Sequence, residues 1–203
     1  MKKTCISIFS LCVIFSALYM FAGPVGCAQA EELNLAKARG AIIAINSPDS
    51  KVDLKEIKSN GVILGGKDEY KNKWYTATLN LGEGATWQEL WIEFSPAQSG
   101  DVLVELRGPF FENSKNEIWV DDVKIEGEDL LVKNGGFETL DAAGVAIGWE
   151  QRPSKDLLST DSSQARTGKN CALIWHERPL TQGITVKAGG KYKISAWFKG
   201  YYK

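Results

Sequence analysis

The sequence predicts an all-β protein whose strands pair antiparallel in a β-sandwich. About a dozen short apolar segments run along the chain, and several alternate apolar and polar residues. A period of two is the pattern of half-buried strands. Gly, Pro and Asn residues separate the segments at short intervals, and helical periodicity is almost absent. Many short strands with such punctuation are typical of a sandwich.

The first half of the chain supplies most of the alternating segments. The expected elements are a strand at 41–45, a turn at 46–49, a helical turn at 53–58, a short strand at 62–64, and alternating strands at 74–81, 87–94 and 101–107. In the strand at 87–94, Leu90, Ile92 and Phe94 share one face. We expect that face to lie in the core.

Residues 119–138 predict two strands joined by a short polar turn. The apolar residues of the first strand change parity at Asp121 and Asp122, which predicts a β-bulge there. The second strand begins at residues 130–132, so the spacing favours an antiparallel hairpin. Further strands are expected at residues 171–176, 180–186 and 192–199.

The first thirty residues predict a signal peptide. Lys2 and Lys3 precede an apolar run from 6 to 22, and Ala28-Gln29-Ala30 fits a small-residue cleavage site. A retained membrane anchor is the alternative, because the run has nearly the length of a short span. Lipidation at Cys27 is a further alternative. The mature chain would begin near Glu31 and be secreted, periplasmic or held at the cell surface, without a membrane span.

Composition restricts the possible partners of the mature chain. Residues 31–203 carry 22 basic and 25 acidic side chains, a net charge of −3. This weak negative charge argues against a nucleic-acid partner. Cys171 is the one cysteine after the leader, so an internal disulfide is excluded. The length suits one sizeable core.

Four motifs stand in the second half of the chain. They are Asn-Gly-Gly-Phe-Glu at 134–138, Gly-Trp at 148–149, Thr-Gly-Lys-Asn-Cys-Ala-Leu-Ile at 167–174, and Gly-Gly-Lys-Tyr-Lys-Ile-Ser-Ala-Trp at 189–197. Together they resemble the opening half of jelly-roll carbohydrate-binding modules of the family 4 and family 9 type, which belong to the galactose-binding-like sandwiches. Residues 87–94, 100–107 and 118–125 resemble the closing half.

The two halves stand in reversed order relative to that family. One interpretation is a single circularly permuted sandwich formed by residues 31–203. The other is a tandem arrangement, with a first module at 31–128 and a partial second module at 129–203. We favour permutation, because half a sandwich would leave apolar faces and strand edges open, and permutation is tolerated where termini lie close together.

The resemblance implies a structural calcium ion. Its ligands would be the carboxylates of Glu138, Asp121 and Asp122, with backbone carbonyls from residues 167–170. Calcium accepts such a mixture of oxygen ligands. The alternative is an acidic turn exposed to solvent.

Aromatic placement predicts a carbohydrate partner. Trp74, Trp91 and Trp197 lie opposite the apolar parity of their own strands. Flat rings stack on the C–H faces of sugars, and neighbouring charged groups bind hydroxyls; Glu93, Glu105 and Arg107 are the expected hydrogen-bonding residues. Partial burial beneath loops is the alternative. Trp87, Trp149 and Trp175 are expected in the core or its rim, and Phe110 and Phe111 in a loop.

Catalysis has little support in the sequence. His176 is the one histidine and is expected to be structural, and Cys171 is expected to be an inert buried thiol. A carboxylate pair of Glu93 and Glu105 would be the basis of an enzyme. The sequence therefore predicts a secreted, monomeric, non-catalytic carbohydrate-binding module. The alternatives are a protein-binding or structural surface module and a small polysaccharide-active enzyme.

Overall fold

The alternating segments pair into two antiparallel sheets in the computed structural model. The structure describes residues 40–82, 86–110, 116–127, 132–151, 159–160 and 162–200. The strands are β1 (Gly40–Ser47), β2 (Leu54–Ser59), β3 (Val62–Lys67), β4 (Lys73–Asn80), β5 (Gln88–Pro96), β6 (Gly100–Arg107), β7 (Ile118–Glu126), β8 (Glu150–Gln151), β9 (Ser159–Thr160), β10 (Ala172–Ile174), β11 (Leu180–Val186) and β12 (Tyr192–Gly200).

Within the described ranges, each sheet contains six strands. Sheet A has the order β3-β4-β1-β6-β11-β8, and sheet B has the order β2-β5-β12-β7-β10-β9. All the pairings are antiparallel. The predicted fold class, an all-β antiparallel sandwich, is confirmed.

The core lies between the inner faces of the sheets. β5 and β6 contribute alternate residues, as period-two burial requires, whereas all six residues of β3 are exposed. The fully buried side chains include Ile43, Ile45, Leu90, Ile92, Leu106, Ile118, Ile174, Leu180, Ile194 and Phe198. Residues of the opposite parity, such as Glu93 and Glu105, therefore project from the outer faces. Trp149 is buried, as expected, and its ring packs against Phe137 with 5.6 Å between centroids.

The second half of the chain is interleaved with the first. β12 lies between β5 and β7, and β11 pairs with β6. Strands from both halves therefore contribute to both sheets and to one core. That a permutation relates this order to the carbohydrate-binding modules stays a prediction.

One local expectation differs from the structure. Residues 54–59 form β2 rather than a helical turn, because Leu54 and Ile57 pack against the core as β2 pairs with β5. The second strand of the hairpin expected at 119–138 begins at residues 130–132, and residues 128–131 lie outside the described residues. The chain after residue 132 returns along β7, where Val123 N–H donates to Gly135 O (2.9 Å).

The bulge expected at Asp121 and Asp122 is confirmed. Asp122 has a φ of 48°, and the pairing of β12 with β7 shifts register between Ser195 and Trp197. One extra residue in β7 reverses the parity of its side chains. Val120 and Val123 therefore both reach the core.

The leader peptide expected at residues 1–30 lies outside the described residues. Among the residues that the structure describes, no helix has the length and apolar character needed to cross a membrane.

Candidate functional site

The tryptophans expected to bind sugar are divided between the two sheets. Trp91 of β5 and Trp197 of β12 project from the outer face of sheet B, and Trp74 of β4 projects from the outer face of sheet A. Trp91 lies opposite Ser195, and Trp197 lies opposite Glu89. The three rings therefore do not form a single platform.

A cation lies over the ring of each of three tryptophans, Trp197, Trp91 and Trp87. The guanidinium of Arg166 is 3.7 Å from the ring centroid of Trp197. The ammonium group of Lys193 is 5.1 Å from that of Trp91, and the ammonium group of Lys199 is 4.9 Å from that of Trp87. These separations are within the range of cation–π attraction. One face of each ring is therefore already in contact with the protein.

Trp74 packs across the neighbouring strand of sheet A. It pairs with Gly66 of β3, and a Cβ added to that glycine would lie 2.9 Å from the indole ring. The ring is half-buried over this glycine. It therefore covers the backbone of β3 and leaves only part of its surface to a ligand.

Glu93 lies in a charged row on the outer face of sheet B. Lys58, Glu93, Lys193 and Glu126 are partners across four adjacent strands. These four line an open cavity of about 340 Å³ together with Glu56 and Lys191. Carboxylates and ammonium groups alternate along the row, so the cavity has no dominant charge.

Glu105 and Arg107 form an ion pair on the outer face of sheet A. Arg107 Nε lies 3.1 Å from Glu105 Oε1, and the side chains are 31% and 17% exposed respectively. Glu93 projects from the other sheet, so Glu93 and Glu105 do not form the carboxylate pair that a glycosidase mechanism requires. This corrects the geometric basis of the enzyme alternative.

A tight turn brings His176 to this ion pair. Arg178 N–H donates to Trp175 O (3.1 Å), so residues 175–178 turn back between β10 of sheet B and β11 of sheet A. Trp175 is half-buried at the turn, with the guanidinium of Arg178 5.0 Å from its ring centroid. The turn therefore crosses one end of the sandwich, where β6 also ends.

Phe110 follows β6 and lies against His176. The ring centroids are 5.1 Å apart in an edge-to-face arrangement, and Phe110 is 62% exposed. Phe111 lies outside the described residues. We call Glu105, Arg107, Phe110 and His176 the His176 cluster. It joins two residues expected at a sugar site to two that the sequence did not place together.

The surroundings of His176 favour its neutral form, and one of its ring nitrogens has no hydrogen-bond partner among the described residues. Burial lowers the pKa of the imidazole, the positive charge of Arg107 lowers it further, and the carboxylates of Glu105 and Glu177 oppose the shift. Nδ1 is buried and has no hydrogen-bond partner among the described residues. Buried polar atoms are normally paired, so an unpaired one is a reason to look for a ligand or water.

The three carboxylates expected to hold calcium all contact the turn at residues 166–170. Asp121 Oδ2 accepts hydrogen bonds from the backbone N–H groups of Arg166 (2.8 Å) and Thr167 (3.2 Å). Asp122 accepts from the Arg166 guanidinium and, at 2.6 Å, from the Thr167 hydroxyl. Burial raises the pKa of Asp121, although these backbone donors act in the opposite direction.

Glu138 binds the other half of the same turn. Its Oε1 accepts from the backbone N–H groups of Lys169 (2.8 Å) and Asn170 (3.0 Å). Gly168 has a φ of +64°, and a Cβ there would lie 2.2 Å from Glu138 Oε1. The carboxylate therefore sits in a cradle that only glycine leaves open.

The donor types at this turn fit calcium, because carboxylate and hydroxyl oxygens are hard ligands. Their hydrogen bonds already hold the turn. Among the described residues, no group of three or more Asp, Glu, His or Cys side chains is close enough to hold a metal ion. A calcium ion here would therefore need backbone carbonyls or water among its ligands.

Comparisons with protein-family models, curated proteins and solved structures find no significant match to this chain.

Proposed function

We propose that this protein is a secreted, non-catalytic carbohydrate-binding module whose ligand contacts the His176 cluster. The observation that carries the proposal is the exposed ring of Phe110 beside a neutral imidazole with an unpaired buried nitrogen. Apolar rings with a few converging polar groups are typical of small-ligand sites. The fold alone would not support the proposal, since sandwiches host many functions.

The polar groups of the cluster match the chemistry of hydroxyl groups. A neutral imidazole has one donor and one acceptor, the carboxylate of Glu105 accepts, and the guanidinium of Arg107 donates. A hydroxyl both donates and accepts, so adjacent hydroxyls of one sugar ring can bond to all three side chains. The C–H face of the same ring can pack on Phe110, whose ring is open to solvent.

The outer face of sheet B is the alternative location for the sugar. Trp91, Trp197 and Glu93 lie there, as do the cations that cover the two rings. The His176 cluster is favoured because its aromatic ring is the more exposed and because its polar atom lacks a partner. Trp74 lies on the same face as Glu105 and Arg107, and an oligosaccharide is long enough to reach it.

Binding to a glycan array or to polysaccharide in affinity gels tests the proposal. We expect Phe110→Ala and Glu105→Gln each to weaken binding by about tenfold or more, since each removes roughly 1–2 kcal/mol of contact. Tyr70→Ala is the matched control, because Tyr70 is equally aromatic and is 74% exposed elsewhere. Retention of full affinity by both cluster variants, with loss in Trp91→Ala and Trp197→Ala, would transfer the site to sheet B.

We also propose a structural calcium at the turn formed by residues 166–170, with carboxylate ligands drawn from Asp121, Asp122 and Glu138 and the remaining ligands from backbone carbonyls and water. The support is the convergence of three carboxylates on five consecutive residues. Its role would be to hold this turn against β7.

A further inference from the structure

We propose that two copies of this protein associate through β3, which would pair antiparallel with β3 of the second copy about a two-fold axis. Sheet A of each copy would then continue into the other. This surface is separate from the His176 cluster, and it departs from the monomer expected from the sequence.

β3 is an edge strand with an open side. It pairs with β4 alone among the described residues and stands first in the order of sheet A. An edge strand presents unpaired N–H and C=O groups that can bond to another strand. All six residues of β3 are exposed, and its outer edge pairs with no described strand.

The free edge strand β3 carries apolar side chains, whereas the edge strands of soluble proteins usually carry features that prevent pairing with another chain. Val62, Ile63 and Leu64 are 65%, 38% and 55% exposed. Lysines, prolines and bulges are the ordinary protections of a free edge. β3 has no charge before Lys67 and pairs with β4 in unbroken register. Three adjacent apolar side chains on an unprotected strand indicate a partner.

The two halves of β3 differ in bulk, so a two-fold axis at its centre pairs one half with the other. Its first half is bulky, and its second half contains Gly65 and Gly66. If Leu64 lies opposite Leu64 of the second copy, Val62 faces Gly66 of that copy. Opposite residues of an antiparallel pair project from the same face, so each bulky side chain meets a glycine that is covered by an aromatic ring of β4.

Two aromatic rings of β4 lie over these glycines and give the bulky side chains an apolar contact. The rings of Trp74 and Tyr75 approach Gly66 and Gly65, at 2.9 Å and 3.2 Å from the position of an added Cβ. Val62 of the second copy would therefore pack beside Trp74, and Ile63 of the second copy beside Tyr75. Two apolar rows would cross the interface, one on each face of the joined sheet.

The register with Leu64 opposite Leu64 also keeps the charged side chains of β3 apart. Lys67 would face Gly61 of the second copy, which places the two Lys67 side chains at opposite ends of the ladder. Like charges directly opposite would be unfavourable.

The β3–β3 ladder is much shorter than a stable interface, which has roughly 20–30 residues a side. We therefore expect a weak, concentration-dependent dimer rather than a permanent one.

Sedimentation equilibrium of the purified protein, from about 5 to 500 µM, tests the association. We expect the mass to rise from one chain towards two. Ile63→Lys should shift the midpoint concentration at least tenfold upwards, and Tyr70→Lys, which adds the same charge beyond the end of β3, should leave it unchanged. Circular dichroism establishes that both variants fold. A mass of one chain at every concentration overturns the proposal; the partner of β3 would then be a strand of a different protein.

Cysteine cross-linking tests the register independently of affinity. Under mild oxidation, Leu64→Cys should form a covalent dimer, because the two residues face each other at the axis. Val62→Cys alone should not, and adding Gly66→Cys to it should restore the cross-link. The unsubstituted protein, oxidised under the same conditions, shows any cross-link that the natural cysteines form. A dimer whose Leu64→Cys variant fails to cross-link contradicts the β3 interface.

Discussion

The guanidinium of Arg166 stacks on the indole of Trp197 and is ion-paired with Asp122. These three residues join β12, the bulge of β7 and the turn at 166–170. A cation held over a ring on one side and by a carboxylate on the other is partly desolvated, which strengthens both contacts. The indole is therefore a structural part of this turn.

Replacing Trp197 should reduce stability more than it reduces sugar binding. We expect Trp197→Ala to lower the free energy of unfolding by about 1–3 kcal/mol, because a half-buried ring and its cation–π contact are lost. Urea denaturation measures the change, and affinity gels measure binding. Arg166→Lys is the companion variant and should cost less, since an ammonium group keeps the charge but not the planar stacking. Loss of binding at unchanged stability would make Trp197 a ligand residue.

The alternating strands could be predicted from the sequence because their periodicity is local. β5, β6 and β12 each place alternate residues in the core. The bulge at Asp121 and Asp122 was also predictable, since a change of parity within one strand has few other causes. β2 was not, because six residues with Leu54 and Ile57 fit a helical turn as well as a strand.

The contacts of the candidate residues could not be predicted from the sequence, because they involve segments that are distant in the chain. Parity placed Trp197 on an outer face, but the cation that covers it comes from the loop at Arg166. His176 and Phe110 are far apart in the chain and meet where β6 ends beside the turn at residues 175–178. Pairing between such segments follows from the three-dimensional arrangement, which local patterns do not specify.

Calcium should stabilise the protein if it binds at the turn formed by residues 166–170. A ligand at 100 times its Kd adds about 2.7 kcal/mol, which for a chain of this size raises Tm by roughly 5–10 °C. Thermal unfolding in calcium and in EDTA measures the difference, with magnesium as the control cation. Glu138→Gln should abolish the calcium effect. Equal Tm values in calcium and EDTA would mean that hydrogen bonds alone hold the turn.

Gly168 should tolerate alanine less well than Gly189. Both have positive φ, at +64° and +73°, but a Cβ at Gly189 meets no atom within 4 Å, whereas at Gly168 it would meet Glu138. Gly189→Ala should therefore cost about 1 kcal/mol for the backbone alone. We expect Gly168→Ala to cost roughly 1–3 kcal/mol more, because the Glu138 carboxylate must leave two backbone donors. Equal losses in urea denaturation would show that the carboxylate moves freely.

Stability should fall as the pH is lowered through the titration of His176. Burial and Arg107 lower the pKa of His176, so the unfolded chain takes up a proton at a higher pH than the folded one. The contribution of His176 to the free energy of unfolding is complete above its pKa in the unfolded chain, near 6.5. That contribution is lost as the pH falls through the pKa of His176 in the folded chain. The chain has one histidine, and the ordinary pKa of a carboxyl group lies below this window. The raised pKa of Asp121 acts in the opposite sense, because a buried carboxyl group that keeps its proton favours the folded chain as the pH falls.

The comparison of the unsubstituted protein with His176→Gln isolates this effect. We expect the free energy of unfolding to decline between pH 7 and pH 5 in the former and to be flatter in the latter. Glu105→Gln should steepen the decline, because Glu105 opposes the lowered pKa. If sugar also binds the neutral imidazole, affinity should weaken over the same pH interval. Identical pH profiles for the two proteins would mean that His176 titrates alike in the folded and unfolded chains.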